Sequence, residues 1–332
     1  MKKLSIVFTV LLLVFLLGAC SLLPAGLLPF KNIPSPTEDP VASPVETLSA
    51  EESEEPGSDP PGFGAPGFED PVIAVPEYGE ITFEGLVVAD NDECAIKITA
   101  FEPHNTWGGY ILTLHLENKS REKTYLFNNE YGTINDMECN LLLYTEVAPG
   151  KTAEDIIIIS EDQLHQLGIT ACTDIELTLT AYDIDGDWVD PVTRVTVHVY
   201  PYGEERATVF VRENRPEDTV LFDDEYVTVI VIGYEPETYW GFAVELYLVN
   251  KTDKDLSFTV SNASVNGYMA DPLWSRTVRS GKKAFASMFW TEEILEGLDI
   301  TEVEEIEMRF SVFDSHDWEA ENLIEEVVVL TP

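Results

Sequence analysis

The feature that most constrains the fold of this chain is an internal repeat. Short motifs in the first half return in the second half in the same order, and matching positions lie 130 to 133 residues apart. A nearly constant offset with drifts of one residue is typical of a duplicated domain with small insertions in its loops. The matched pairs are Phe101-Glu102-Pro103 with Tyr234-Glu235-Pro236, Trp107-Gly108 with Trp240-Gly241, Asn118-Lys119 with Asn250-Lys251, Gly150-Lys151 with Gly281-Lys282, and Tyr182-Asp183 with Phe313-Asp314.

Both copies show the alternation of apolar and polar residues that is typical of half-buried strands. This pattern predicts an all-β fold, with two tandem immunoglobulin-like β-sandwich domains over 76–202 and 203–332 and a boundary near Pro201-Tyr202-Gly203. Two β-branched runs are expected to be buried on both faces. Alternating residues are Cys94, Ile96, Ile98 and Ala100 in the first copy and Ile306, Met308, Phe310 and Val312 in the second; the two runs are 156–159 and 327–330.

One short helix is expected in each domain. Ser160-Glu161-Asp162-Gln163 has the spacing of a capping box, in which the first and last side chains bond each other's backbone N–H. Thr291 lies at the matching place in the second copy and is expected to be the N-cap.

The first residues indicate export and lipid attachment. Met1, Lys2 and Lys3 precede an apolar run that is too short to span a bilayer, which is the pattern of a removed signal peptide over 1–19. Leu17-Gly18-Ala19-Cys20 resembles the lipobox of bacterial lipoprotein precursors. That resemblance implies a diacylglyceryl group on Cys20, cleavage before it, and a place on the extracytoplasmic face of the cell membrane. The alternative is an ordinary signal peptide with a chance cysteine.

Residues 20–75 have a different composition. Eleven of the chain's 20 prolines fall after Cys20 in this segment, together with many Ser, Glu, Asp and Gly residues. Such a segment cannot build a core and is expected to be a disordered tether between the anchor and the sandwiches.

The net charge narrows the possible partners. The chain has 19 Lys and Arg against 61 Asp and Glu, a formal charge of −42. This surface repels nucleic acid and anionic headgroups, and attracts divalent cations and basic partners. The alternative is that the acidity serves only solubility.

Three cysteines remain after Cys20, so at most one internal disulfide can form. Cys94 lies on the apolar face of its strand and is expected to be a small core residue. The others are Cys139 and Cys172.

The strongest metal motif is an acidic turn. Asp183, Asp185 and Asp187 alternate around Gly186 as in the first half of a calcium loop, with Asp190 as a further possible ligand. Against calcium, the remaining loop positions do not match, and the second copy keeps only two carboxylates. The alternative is a solvated turn, and no other cofactor is expected.

Aromatic residues provide the candidate contact surface. Trp107 and Trp240 each precede a glycine, which fits either a platform for a sugar or peptide or a Trp packed at the sandwich edge; the packing interpretation is favoured. Tyr239 aligns with Thr106 of the first copy and so has no aromatic counterpart. It is the better candidate for an exposed contact.

The motifs of the second copy resemble an uncharacterised immunoglobulin-like repeat of lipoproteins in Gram-positive bacteria. The resemblance covers most of 225–332 and holds more loosely over 93–200, where Gly132-Thr133-Ile134-Asn135 stands for Ser264-Val265-Asn266-Gly267. It implies a sandwich fold and a surface location, and it is silent on activity. The other motifs that carry it are Asn250-Lys251-Thr252-Asp253-Lys254, Ser280-Gly281-Lys282-Lys283, and Phe313-Asp314 with Trp318.

The sequence contains no metalloprotease, nucleophile-elbow or phosphate-loop motif. We therefore expect no enzyme, but a non-catalytic binding, adhesion or scaffolding module with an unknown protein or glycan partner. Two alternatives are an accessory subunit of an envelope transporter or secretion complex, and a hydrolase with an unrecognised site.

Overall fold

Two hydrophobic cores, each enclosed between two sheets, organise the computed structural model, which describes residues 78–332 except 105–107, 187, 273 and 318. The predicted signal peptide, Cys20 and the tether lie outside the described residues. The strands are β1 (Leu86–Asp90), β2 (Cys94–Pro103), β3 (Tyr110–Asn118), β4 (Tyr125–Ile134), β5 (Met137–Glu138), β6 (Tyr144–Val147), β7 (Thr152–Ile159), β8 (Ile175–Asp183), β9 (Thr193–Val199), β10 (Thr219–Asp223), β11 (Val227–Thr238), β12 (Gly241–Asn250), β13 (Leu256–Val265), β14 (Tyr268–Met269), β15 (Ser275–Val278), β16 (Lys283–Thr291), β17 (Ile306–Asp314) and β18 (Ile324–Leu330). The helices are α1 (Glu161–Leu167) and α2 (Glu292–Gly297), and a short 3-10 helix covers Glu204–Arg206.

The strand order repeats. In the first copy the sheet β1-β2-β3-β7 faces β5-β4-β8-β9, and in the second copy β10-β11-β12-β16 faces β14-β13-β17-β18. The extra strands β6 and β15 pair with β4 and β13. The predicted fold class is therefore confirmed: the chain is all-β, with two sandwiches and one short helix in each. In the described residues, no helix is long and apolar enough to cross a membrane.

Equivalent polar contacts occur in both copies. Asn118 and Asn250 are buried, and the side-chain amide of each donates to one carbonyl in the loop that follows it and to one at the end of the short strand β6 or β15. Asn135 and Asn266 take left-handed backbone angles, with φ of 52° and 50°, and each accepts two backbone N–H bonds. The equivalence of these two asparagines moves the predicted match of the Ser-Val-Asn-Gly element by one residue, to Thr133-Ile134-Asn135-Asp136.

Helix starts agree with the expected caps, with one exception. Ser160 Oγ accepts the N–H of Gln163 at 3.1 Å, and Thr291 Oγ1 accepts the N–H of Ile294 at 3.4 Å. The reciprocal bond of the predicted capping box is replaced, because Gln163 Nε2 donates instead to the carbonyl of Asn140 at 3.0 Å.

A bulge corrects the predicted face of β2. The pairing register of β2 with β3 shifts between Ile98 and Ala100, so Phe101 rather than Ala100 enters the core. The same shift occurs between Val231 and Gly233 in β11. A bulge inserts one residue and reverses the alternation beyond it, which a strict period of two does not anticipate.

Burial of the two β-branched runs on both faces was a wrong prediction. Ile157 and Ile159 are fully buried, whereas Ile156 and Ile158 are 39% and 38% exposed. The second run behaves alike. The reason is that each repeat is a two-layer sandwich, so only the inner face of β7 and of β18 packs against a second sheet and the outer face meets solvent. The exposed residues of the second run are Val327 and Val329.

The two copies meet in a joint that the sequence did not predict. Lys283 of β16 pairs in parallel with Met137 of β5, which makes one sheet continuous across both copies. The described residues belong to one compact unit. The first hydrophobic cluster includes Ile230 and Tyr247 of the second copy, and the predicted division into two domains at 202 and 203 stays a prediction.

Charged side chains fill the joint. The Glu138 carboxylate, 5% exposed, binds Arg276 Nη2 at 2.8 Å and the N–H of Arg279 at 2.8 Å. Burial raises the pKa of Glu138, and the charge of Arg276 opposes that rise. Lys282 lies between Asp136 and Glu176, at 2.7 and 2.6 Å. Each of these three carboxylates of the first copy thus contacts a basic side chain of the second copy.

The linker between the copies adds an apolar contact. Phe210 packs against Tyr247 and Phe285 on the outer face of the second copy, with ring centroids 6.5 and 6.3 Å away. Its N–H donates to the carbonyl of Asn135 at 2.8 Å. Arg212 and Asp218 then form a buried bidentate pair with two contacts of 2.6 Å. The linker is therefore bonded to both copies.

Candidate functional site

Two aromatic residues occupy the turn between β11 and β12. Tyr239 is 83% exposed and Trp240 is 61% exposed, although both are large and carry much apolar surface. Thr238 pairs with Gly241, so the aromatic residues are the two turn residues themselves. We call Tyr239 and Trp240 the aromatic tip. Because no strand covers a turn, both side chains are available for contact.

The backbone of the aromatic tip is fixed by its neighbours. Thr238 Oγ1 accepts the N–H of Trp240 at 3.1 Å and donates to the carbonyl of Gly241 at 2.7 Å. Gly241 has φ of +116°, and a Cβ there would overlap the carbonyl oxygen of Trp290 and lie 2.7 Å from the N–H of Glu292. A glycine is therefore required, and the turn is pressed against the start of α2.

Trp290 supports this arrangement from below. Its side chain is fully buried and donates from Nε1 to the carbonyl of Ala270 at 2.8 Å. Phe242, the second residue of β12, packs on the same ring with centroids 6.3 Å apart. The turn that carries the aromatic tip therefore adjoins the packed side chains of Phe242 and Trp290.

The two rings of the tip form a corner. Their centroids are 5.0 Å apart and their planes meet at 88°. Edge-to-face pairs of this kind are favourable by about 0.5–1.5 kcal/mol, which limits the conformations that the two side chains sample. A corner of this kind presents two aromatic walls to a compact group.

Carboxylates surround the tip without basic partners. Glu235 and Glu237 on β11 and Glu292 and Glu293 on α2 are exposed, and none of these four forms an ion pair within the described residues. Neither 229–250 nor 284–308 contains a Lys, Arg or His. Glu245 lies behind them; its pKa is raised by burial and also by the charge of Glu235. Sequence reasoning missed these carboxylates, although the lack of any basic residue in both segments was a visible signal.

The matching turn of the first copy is described only in part. Gly109 and Gly241 are equivalent, because both have positive φ and both abut the backbone at the start of a helix. Counting back from them, Trp107 corresponds to Tyr239 and not to Trp240, which corrects the sequence alignment. Trp107 itself lies outside the described residues.

The packing interpretation does not hold for Trp240, which is mostly exposed. Trp188 is 52% exposed and packs on one side against Tyr182, with centroids 5.6 Å apart. Trp318 lies outside the described residues.

The acidic turn is tied to a lysine in both copies. Asp183 Oδ2 lies 3.1 Å from Lys123 Nζ, and its Oδ1 accepts the N–H of Asp185 at 3.2 Å. Asp314 repeats this with Lys254 at 2.8 Å. Asp185 and Asp190 belong to the exposed turn, and Asp187 lies outside the described residues. Among the described residues, no group of three or more His, Cys, Asp and Glu is arranged to hold a metal ion. Calcium binding at this turn stays a prediction.

His198 contacts two carboxylates, and the three described thiols are free. His198 Nδ1 lies 2.8 Å from Asp174, and its Nε2 lies 3.6 Å from Glu176, so both ring nitrogens face carboxylates rather than a nucleophile. Cys94 and Cys172 are buried, and all three thiols in the described part of the chain are free. Burial raises the pKa of Cys139 to about 12 and that of Cys172 further, which keeps both thiols protonated.

Comparisons with known proteins add little. No family model matches the chain, and no curated protein sequence matches it. Among solved structures, a red sea bream transglutaminase is similar over 73% of this chain at 10% sequence identity and a TM-score of 0.23. This chain covers 31% of the length of that protein.

Proposed function

We propose that this chain is a lipid-anchored extracytoplasmic protein that acts as a non-catalytic binding module, with the aromatic tip as its contact surface. The observation that carries the proposal is the exposure of Tyr239 and Trp240 on a rigid turn. Such aromatic residues are enriched among the residues that dominate protein interfaces. The lipobox around Cys20 supports the anchor, and the Pro-rich segment 20–75 supports presentation away from the membrane.

Site-specific photo-crosslinking in the native cells tests the contact surface. A photoreactive phenylalanine analogue replaces Tyr239 in one strain and Tyr144 in another; Tyr144 is a matched control, since it is aromatic and 70% exposed in the first copy. We expect one dominant adduct at 239 that is absent at 144 and is weakened by Trp240→Ala. An equal pattern at both positions, or none, would contradict the proposal. A stoichiometric membrane complex at 239 would favour the accessory-subunit alternative.

Membrane fractionation and mass spectrometry test the anchor. The mature protein should begin at residue 20 and carry acyl mass on that cysteine, and Cys20→Ala should release the protein from the membrane fraction. Two or more acyl chains hold a protein on a membrane, whereas a single chain binds marginally. An unmodified mature N-terminus at another residue would sink the anchoring part of the proposal.

A further inference from the structure

We infer that the aromatic tip recognises a positively charged group, and specifically the Lys or Arg side chains of a basic polypeptide segment. This inference deepens the proposed function and rests on it. Its basis is the combination of an aromatic corner, unpaired carboxylates and the local absence of basic residues.

The aromatic corner suits a cation. The faces of Tyr and Trp rings carry negative electrostatic potential, and a cation above such a face gains about 0.5–1 kcal/mol at an exposed site. With the planes of Tyr239 and Trp240 at 88°, a single ammonium or guanidinium group can touch both rings. Their mutual packing and the bonded turn reduce the ordering that binding requires.

The surrounding charge points the same way. Glu235 and Glu237 flank the tip on β11, and Glu292 and Glu293 begin the helix whose first N–H lies against Gly241. Some carboxylates elsewhere in the second copy do have lysine partners, as Asp223 has in Lys251 at 2.7 Å and Asp314 in Lys254 at 2.8 Å. The carboxylates at the tip lack such partners among the described residues, so a ligand can supply the positive charge.

A flexible chain fits the location better than a buried ligand does. The tip is convex and open, so it can meet a side chain that projects from a partner but cannot enclose a small molecule. Basic segments also gain from the overall charge of −42, which steers cationic partners toward the surface. We therefore commit to a Lys- or Arg-rich polypeptide segment as the occupant.

Titration calorimetry and tryptophan emission test the inference with the mature anchored protein in neutral detergent. The probe is a peptide of alternating lysine and glycine, and a serine-glycine peptide of equal length is its counterpart. We expect binding of the lysine peptide that shifts tryptophan emission and weakens with added salt, and none of the serine peptide.

The first variant set separates the charge at the tip from the overall negative charge of the protein. Replacing Glu235, Glu237, Glu292 and Glu293 by Gln should lower the affinity for the lysine peptide at least tenfold. The matched control replaces four exposed glutamates elsewhere by Gln, which changes the net charge equally, and should change the affinity less than threefold. The four control positions are Glu84, Glu122, Glu146 and Glu213.

The second variant set tests the aromatic contribution. The double variant Tyr239→Leu with Trp240→Leu should lower the affinity about fivefold. Its control is Tyr239→Phe with Trp240→Phe, which keeps an aromatic ring at both positions.

Three outcomes would overturn the inference. They are an equal loss of affinity in both glutamate sets, an equal loss of affinity for the Leu and Phe double variants, and no binding of the lysine peptide. These results leave the proposed function intact, since a crosslinked partner at position 239 that is neutral or acidic would still make the tip a contact surface. Conversely, no specific crosslink at 239 would remove the proposed function itself.

Discussion

Asn250 shows at the scale of one residue how the loops are held in place. Its amide donates to the carbonyls of Lys254, Val278 and Arg279 at 2.7 to 3.0 Å, and its side-chain oxygen accepts the N–H of Thr252 at 2.9 Å. An alanine at this position would leave buried backbone groups without partners, at about 1–3 kcal/mol each. Burial alone would suggest a hydrophobic residue here, so the asparagine marks a structural requirement.

We therefore predict that Asn250→Ala lowers the free energy of unfolding by about 3 kcal/mol. Urea unfolding of the purified variant measures the change. Asn322→Ala, at an exposed position of the same repeat, is the control and should change stability by less than about 0.5 kcal/mol. Equal effects of the two variants would show that the bonds of Asn250 contribute little.

Asp218 gives a prediction for the dependence of stability on pH. The Arg212 guanidinium holds the pKa of this carboxyl below its ordinary value of 3.8, and burial opposes this only partly. The unfolded chain therefore takes up the proton first as the pH falls. The stabilisation is present above about pH 4 and is lost as the pH falls through the lower folded value.

We expect Asp218→Asn to lower stability at pH 7 by about 2–3 kcal/mol, because charged hydrogen bonds are lost, and to flatten the loss of stability below pH 4. Denaturant unfolding at a series of pH values measures both effects, with the exposed Asp253→Asn as control. A profile of Asp218→Asn parallel to that of the unchanged protein would refute the assignment.

Some single residues were predictable from sequence and others were not. Cys94, Ser160 and Thr291 take their expected roles, because local alternation and capping chemistry decide them. Ala100 does not take its expected place, because the bulge before it depends on pairing with β3. The exposure of Trp240 also depends on tertiary structure, since a turn motif does not say whether another element covers it.

Among the elements, the β11–β12 turn depends most on one backbone position. Gly241→Ala forces a Cβ into the carbonyl of Trp290 and strains a positive φ, whereas Gly267, with φ of 81°, has open space around it. We predict a loss of about 3 kcal/mol for Gly241→Ala and about 1 kcal/mol for Gly267→Ala in denaturant unfolding. Similar losses would mean that the turn can move away from β16, and the tip would then be less rigid than described.

The number of layers over a sheet was the main source of error at this scale. A run such as 156–159 is apolar on both faces, which is typical of a sheet that is covered on both sides. In this fold β7 belongs to a two-layer sandwich, so Ile156 and Ile158 on its outer face are exposed. The residue types of a run do not say whether a further layer covers its second face, because tertiary structure decides this.

In the whole molecule, the joint links the unfolding of the two cores. Lys282 is 13% exposed and binds carboxylates of the first copy, so Lys282→Met leaves two poorly solvated charges unmatched. Breaking such a buried pair costs about 3–5 kcal/mol. We predict one calorimetric transition for the unchanged protein and two for this variant. Arg309→Met removes an exposed pair with Glu325 and should keep one transition.

The repeat itself was readable from the sequence, because duplicated motifs keep their order and spacing. The joint was not, because its partners are about as far apart in sequence as the repeat and follow no local pattern. Glu138 stands beside Cys139 with nothing to indicate that Arg276 covers it. Its role appears only when the two copies are placed together.

The free thiols have a consequence for biogenesis. Proteins that reach oxidising compartments commonly depend on enzymes that form and correct disulfide bonds. Cys94, Cys139 and Cys172 are instead unpaired parts of the first sandwich, and two of them are fully enclosed. The described part of the chain therefore contains no disulfide bond for such enzymes to form.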